Sequence, residues 1–80
     1  MVMMKLRDLR VDEFAVIKSI KAEGDLGRRI RDMGLVPKTE IQIIGRAPLK
    51  DPVAIRLKGF TMTLRNNEAD FITVEKLEDK

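Results

Sequence analysis

The side chains of this chain that are capable of chemistry are almost all carboxylates and guanidinium groups. The 80 residues include no histidine and no cysteine, so the chain lacks the usual general base, the thiolate nucleophile and the ligands that soft transition metals prefer. Ser19 is the only serine, and no histidine is present to activate it. These absences argue against an enzyme, and we expect no cofactor.

Five carboxylates could supply oxygen ligands to a divalent cation: Asp25, Asp32, Asp51, Glu68 and Asp70. Their spacing matches neither a calcium-binding loop nor a similar ligand pattern. Charged residues favour the surface, so cap, helix-surface and turn positions explain them better. We therefore assign no metal ligand, and a carboxylate-based module that responds to divalent metals is an alternative hypothesis.

A local basic cluster, Arg28, Arg29 and Arg31, falls on a predicted helix. Sixteen basic and thirteen acidic residues are interleaved along the chain, and a net charge of +3 creates no strong field. The three phenylalanines offer little for stacking on bases: we expect Phe14 and Phe71 in the core and Phe60 partly exposed. A small barrel that binds nucleic acid weakly is thus a second alternative, and we expect no nucleic acid as partner.

A proline-flanked loop at 47–52, with the sequence Ala-Pro-Leu-Lys-Asp-Pro, is the second segment suited to recognition. Its prolines restrict the loop, so the apolar Leu49 could be presented to a partner at little entropic cost. The opposite interpretation, in which Leu49 folds back to plug one end of the fold, is supported equally well.

One short helix is predicted over 26–33. Asp25 is the predicted N-cap, Gly34 occupies the position where helices end in a left-handed residue, and an apolar stripe runs along Leu26, Ile30 and Met33. Gly27 costs this helix about 1 kcal/mol relative to alanine. Its presence indicates either tolerance at a frayed helix end or a close approach of backbone from another strand or from a partner.

Five short strands account for most of the remaining chain: 14–20, a segment around 41–43, 53–57, 60–65 and 71–75. Lys58-Gly59 is typical of a two-residue hairpin turn, and 66–70 of a single helical turn. We predict a mainly β fold, a small five-stranded barrel with a helical insertion between strands one and two. An open α+β sheet is the alternative. We expect one domain over 1–80, with its core at about 5–77.

Three segments stand in a distinctive order along the chain: Arg-Ile-Arg-Asp-Met-Gly-Leu-Val-Pro at 29–37, Ala-Pro-Leu-Lys-Asp-Pro at 47–52, and Leu-Arg-x-x-Glu-Ala at 64–69. This order resembles the FeoA family, ferrous iron transport protein A, over nearly the whole chain. The resemblance implies an SH3-like barrel, similar to the C-terminal module of iron-dependent repressors. Asp12 and Lys38 stand where the family has glycine. We expect a left-handed Asp12 and, at Lys38, a type I turn.

The resemblance also implies a function, because FeoA is associated with the Fe(II) transporter FeoB. We therefore predict a cytoplasmic accessory protein that acts on the cytoplasmic part of FeoB by protein–protein interaction. No apolar stretch approaches the length of a membrane span, so we expect a protein that is not membrane-embedded. Edge strands of a small barrel can pair, so we expect a monomer or a weak homodimer. The predicted contact surface comprises Arg28, Arg29, Arg31, Pro48, Leu49, Lys50 and Asp51.

Overall fold

Six antiparallel strands and two helices make up the part of the chain that the computed structural model describes, residues 2–46 and 51–77. The strands are β1 (Val2–Lys5), β2 (Phe14–Ile20), β3 (Glu40–Arg46), β4 (Val53–Leu57), β5 (Phe60–Leu64) and β6 (Ile72–Lys76). Helix α1 spans Gly24–Asp32, and the single-turn helix α2 spans Asn66–Ala69. The strands form one sheet in the order β1-β6-β2-β3-β4-β5. The predicted mainly β fold with a helix inserted between β2 and β3 is confirmed.

The sheet has one strand more than the five predicted, because β1 pairs with β6. Val2 lies opposite Lys76, and Lys5 lies opposite Thr73. The sequence of β1, Val-Met-Met-Lys, lacks the apolar–polar alternation that marks a half-buried strand. A 3-10 turn follows, and it buries Leu6 and Leu9 against the sheet.

The core is built by alternation along the strands, with Ile30 of α1 docked onto it. In β2 the inward residues are Ala15 and Ile17, and the other strands and connections contribute Leu35, Ile41, Ile43, Val53, Ile55, Leu57, Leu64, Ile72 and Val74.

The same alternation corrects the prediction for two phenylalanines. Phe14 and Phe71 are 41% and 42% exposed, because each directly precedes an inward-facing residue, Ala15 and Ile72. Phe60 is 49% exposed, as predicted.

Helix α1 begins and ends one or two residues earlier than predicted. Glu23 is its N-cap and makes no capping hydrogen bond through its side chain, so Asp25 is not the cap. Asp25 lies in the first turn, where a negative charge interacts favourably with the helix dipole. Gly34 follows the C-cap with a φ of +94°, which confirms the predicted end.

Two residues other than glycine adopt a left-handed conformation in the described part of the chain. Asp12 has a φ of 76°, as predicted. Lys38 has a φ of 77°, so the predicted type I turn is wrong. The reason lies in β2: the Lys38 N–H donates to the Ile17 carbonyl at 2.7 Å, and the Ile17 N–H donates to Thr39 at 2.9 Å. This pairing holds the lysine in a conformation that glycine would adopt more easily.

A carboxylate fixes the turn that leads into β2 and makes stability depend on pH. The Arg10 N–H donates to Glu13 Oε1 at 2.6 Å, and Lys76 Nζ lies 2.5 Å from Oε2. The hydrogen bond from Lys76 and then that from Arg10 lower the pKa of Glu13. The stabilisation is therefore complete above the unfolded pKa of about 4.3 and is lost as the pH falls through the lower folded value.

Urea unfolding of the wild type and of Glu13→Gln checks this dependence. The wild type should be more stable at about pH 7, and the difference should shrink towards about pH 3 as the carboxylate takes up a proton. A difference that stays constant over this range would show that the charge of Glu13 is not its cause.

Candidate functional site

A cavity of about 290 Å³ lies where α1, α2 and the start of β4 meet, and we call it the α1–α2 cavity. Helix α1 contributes Arg29 to its lining, and the other lining residues are Asp51, Pro52, Thr63, Arg65 and Glu68. Two of the residues predicted for the contact surface, Arg29 and Asp51, are thus brought to one place.

Glu68 connects the two helices across this cavity. Among the described residues it is the only charged one that is buried, with 6% exposure. Its Oε1 accepts the N–H of Arg65 at 3.0 Å, which caps α2, and its Oε2 lies 3.2 Å from Arg29 Nη2. The guanidinium of Arg29 is consequently held at the cavity rather than left free on the helix surface.

Asp51 is fixed in a similar way from the other side. Its Oδ1 accepts the N–H of Asn66, the first residue of α2, at 2.9 Å. This bond ties Asp51 to the start of α2. Asp51 and Glu68 therefore both satisfy N–H groups at the start of a helix, groups that have no partner within that helix.

The carboxylates considered as metal ligands are engaged separately. Asp25 and Asp32 lie on α1, and Asp70 forms an ion pair with Arg7 Nε at 2.7 Å. Within residues 2–46 and 51–77 no three acidic side chains are grouped so that they could hold one metal ion. The geometry therefore adds nothing in favour of the carboxylate-based alternative.

The other predicted contact residues are placed as follows. Arg28 and Arg31 are exposed on α1. Pro48, Leu49 and Lys50 lie outside the described residues, so their part of the surface stays a prediction. The exposed phenylalanines Phe14 and Phe71 do not stack on each other. Phe14 begins β2, whereas the Phe71 carbonyl accepts a hydrogen bond from the Lys21 N–H, just past the other end of β2. The length of the strand therefore separates the two residues by roughly 20 Å.

A second cavity, of about 450 Å³, lies at the β4–β5 hairpin, and we call it the hairpin cavity. Its lining includes Gly34, Pro37, Lys38, Thr39, Glu40, Leu57, Lys58 and Phe60. The sequence analysis did not predict it. The sequence feature that could have indicated this cavity is Phe60, an aromatic residue directly after a two-residue turn at the start of an edge strand.

A third cavity, of about 610 Å³, is lined by Arg7, Asp8, Leu9, Arg10, Val11, Arg46 and Asn66. Arg46 Nη2 donates to the carbonyls of Arg7 and Leu9. Arg46 therefore holds the turn after β1 in place.

None of the helices in the described ranges is long and apolar enough to cross a membrane.

Comparison with known proteins identifies the family. Residues 4–76 match the model of the FeoA domain. The chain belongs to the FeoA family. The resemblance of the three sequence segments is thereby confirmed, and with it a family linked to ferrous iron transport.

One relative of this FeoA domain is part of a larger protein. The chain is 36% identical over 72 residues to the Fe(2+) transport protein A/Fe(2+) transporter FeoB fusion protein of Porphyromonas gingivalis, a match that covers 90% of this chain and 8% of that protein. The chain thus spans less than a tenth of that relative's length.

Two solved structures show the same fold. The FeoA-like protein of Clostridium acetobutylicum is 38% identical and superposes with a TM-score of 0.90 over 100% of this chain and 93% of that one. FeoA of Stenotrophomonas maltophilia, solved in complex with zinc and described as an SH3 domain protein, is 26% identical, with a TM-score of 0.78 over 90% of this chain and 89% of that one. The SH3-like fold is confirmed.

Proposed function

We propose that this chain is a non-catalytic accessory protein that binds the cytoplasmic part of the ferrous iron transporter FeoB. The observation that carries the proposal is the P. gingivalis relative, in which a segment similar to this chain belongs to one polypeptide with FeoB. Covalent linkage raises the effective concentration of two domains that bind each other, so a fusion favours partners that also associate when separate. The S. maltophilia relative is described as a candidate ferrous iron transport activating factor, which supports the same direction.

The contact surface that we propose joins α1 to the 47–52 loop. Arg28 and Arg31 are exposed and provide positive charge, which steers and orients a partner more than it adds affinity. Arg29 forms an ion pair with Glu68, and Asp51 accepts the N–H of Asn66, so both side chains already have a partner in the unbound protein. Pro48, Leu49 and Lys50 complete the proposed surface, with Leu49 as its apolar anchor.

An amide-shift NMR titration with the isolated cytoplasmic part of FeoB from the same source tests the proposal. We expect the largest shifts on α1 and in the 47–52 segment. The absence of any shift at high concentration would contradict binding to this part of the transporter.

Charge reversal at Arg28 gives the quantitative form of this test. Arg28→Glu should weaken binding about five- to tenfold, because a favourable contact with an acidic partner becomes repulsive. Arg10→Glu is the matched control: Arg10 is also exposed, but it lines the third cavity, which shares no lining residue with the α1–α2 cavity. Equal weakening by both variants would mean that net charge, rather than α1, determines the binding.

A further inference from the structure

Strand β5 is one end of the sheet that residues 2–46 and 51–77 form, and within these ranges no strand pairs with its outer edge. Within the described residues β5 forms a ladder with β4 alone, in a register from Leu57 opposite Phe60 to Val53 opposite Leu64. The two-residue turn makes Leu57 and Phe60 the closing hydrogen-bonded pair. Alternation then directs the backbone N–H and C=O groups of Thr61 and Thr63 away from β4, and both residues are exposed.

The sequence and register of β5 lack three of the features by which proteins prevent edge-to-edge pairing. These three features are charged residues, prolines and β-bulges. The sequence of β5, Phe-Thr-Met-Thr-Leu, contains no charge and no proline, and its register with β4 shows no shift. The ladders between β2 and β6 and between β3 and β4 both contain one. At the other end of the sheet, β1 ends in a lysine.

A residue near each end of β5 lines a cavity. Phe60 lines the hairpin cavity, and Thr63 lines the α1–α2 cavity. Three residues of extended chain span about 10 Å, so one segment paired with β5 reaches both cavities. An apolar side chain of that segment would meet Phe60 and Leu57 at one end, and an acidic side chain would meet Arg29 and Arg65 at the other.

The charges along the edge are mostly positive. Arg56 lies opposite Thr61 on β4, and Lys58 and Arg65 flank β5 on either side. Of the acidic residues nearby, Glu68 is paired with Arg29, Asp51 is bonded to Asn66, and Glu40 lines the hairpin cavity beside two lysines. An acidic strand therefore complements this edge. A second copy of the same edge does not, because antiparallel pairing would bring like charges together.

We propose that β5 is the docking edge for an extended, acidic segment of a partner protein, which adds to the sheet as a seventh strand. Main-chain hydrogen bonds to Thr61 and Thr63 supply the affinity, and the two cavities select the side chains, as in other cases of strand addition. The inference refines the proposed function, because it names the chemistry of the bound segment, and it rests on that function for the identity of the partner.

A peptide titration tests the docking edge without the transporter. The probe is a capped seven-residue peptide of alternating glutamate and valine, added to about 1 mM, where a complex with a Kd of about 1 mM is half formed. We expect the largest amide shifts and the slowest hydrogen exchange at Thr61 and Thr63. The same peptide with lysine in place of glutamate should not bind. Unchanged Thr61 and Thr63 amides, or equal binding of the lysine peptide, would overturn the proposal.

Two substitutions at one position isolate the backbone contribution. Thr63→Pro removes an outward N–H that takes no part in the β4 ladder, whereas Thr63→Val keeps it and suits a strand equally well. The proline variant should bind the glutamate peptide about five- to tenfold more weakly than the valine variant, the value of one hydrogen bond. Equal affinities would overturn the proposal. If Thr63→Pro does not fold, the hydrogen exchange rates of Thr61 and Thr63 in the wild type decide: rates that the glutamate peptide leaves unchanged would overturn it.

The same pair of variants separates this inference from the proposed function. If the cytoplasmic part of FeoB binds both variants equally, the docking edge is wrong while the accessory role stands. If the glutamate peptide protects Thr61 and Thr63 but the FeoB part does not bind, the docking edge stands and its partner is a different protein.

Discussion

Replacing Gly27 with alanine is expected to destabilise the domain by about 2–4 kcal/mol, even though alanine is the better helix former by about 1 kcal/mol. A Cβ atom on Gly27 would lie 2.3 Å from the carbonyl oxygen of Ala22 and 2.9 Å from its carbon. Such distances are well inside van der Waals contact, so the start of α1 would have to move. The clash therefore outweighs the gain in helix propensity.

The obstructing atoms cannot give way easily. They belong to the backbone of Ala22, whose side chain is 6% exposed, and the preceding Lys21 donates its N–H to the Phe71 carbonyl at 2.8 Å. This segment is thus attached to the sheet, and no change of rotamer relieves the overlap. Of the two interpretations that the sequence allowed for Gly27, the close approach of backbone is the correct one, but that backbone belongs to the segment just before α1 and not to another strand or a partner.

Urea unfolding of Gly27→Ala and of Gly45→Ala tests this expectation. Gly45 has no atom within 4 Å of the position of its added Cβ, so its substitution should change the free energy of unfolding by less than about 1 kcal/mol. For a domain with a total stability near the usual lower limit of about 5 kcal/mol, the Gly27 variant would retain only about 1–3 kcal/mol. A Gly27→Ala variant as stable as the wild type would show that α1 can shift freely.

Replacing Glu68 with alanine is expected to cost about 2–3 kcal/mol, whereas glutamine should cost about 1 kcal/mol. Alanine leaves the N–H of Arg65 without the acceptor of a partly buried hydrogen bond, and it opens space between α1 and α2. Glutamine retains an oxygen at the position of Oε1, 3.0 Å from that N–H, and loses only the charge that faces Arg29. The hydrogen bond that caps α2 therefore accounts for most of the difference.

Arg29→Ala is the matched control for the charge. The side chain of Arg29 is 66% exposed, so solvent weakens its ion pair with Glu68, and its removal should cost less than about 1 kcal/mol. Urea unfolding of the three variants at neutral pH provides the comparison. If glutamine were as harmful as alanine, the ion pair rather than the cap would hold α2.

Where the sequence carries a strong local signal, the fold could be predicted from it. Strands β2 and β4 occupy the predicted residues, and Lys58-Gly59 forms the predicted hairpin turn. Strand β1 could not be found in this way, since it is defined by pairing with β6, about seventy residues away in the chain. The conformation of Lys38 depends similarly on hydrogen bonds to β2, which no local pattern contains.

The site was less predictable than the fold. Arg29 and Asp51 were chosen for their residue types and do line one cavity. Glu68, which positions Arg29, was considered only as a metal ligand, although a glutamate three residues after the start of a helical turn is typical of a cap. The hairpin cavity forms because Gly34, at the end of α1, lies beside Leu57 and Phe60, a tertiary contact without a signature in either segment.

The position of β6 between β1 and β2 has a consequence for how the protein is made. Both of these strands precede it in the chain, and both pair with it. While the nascent polypeptide leaves the ribosome, neither β1 nor β2 has this partner until residues 72–76 have emerged, so the sheet is completed only after nearly the whole domain has been synthesised. Pairings of such high contact order close slowly, on a timescale of milliseconds to seconds. Until then the edge of β2 that β6 will cover is available to other chains, so β6 is the strand that ends the exposure of this edge.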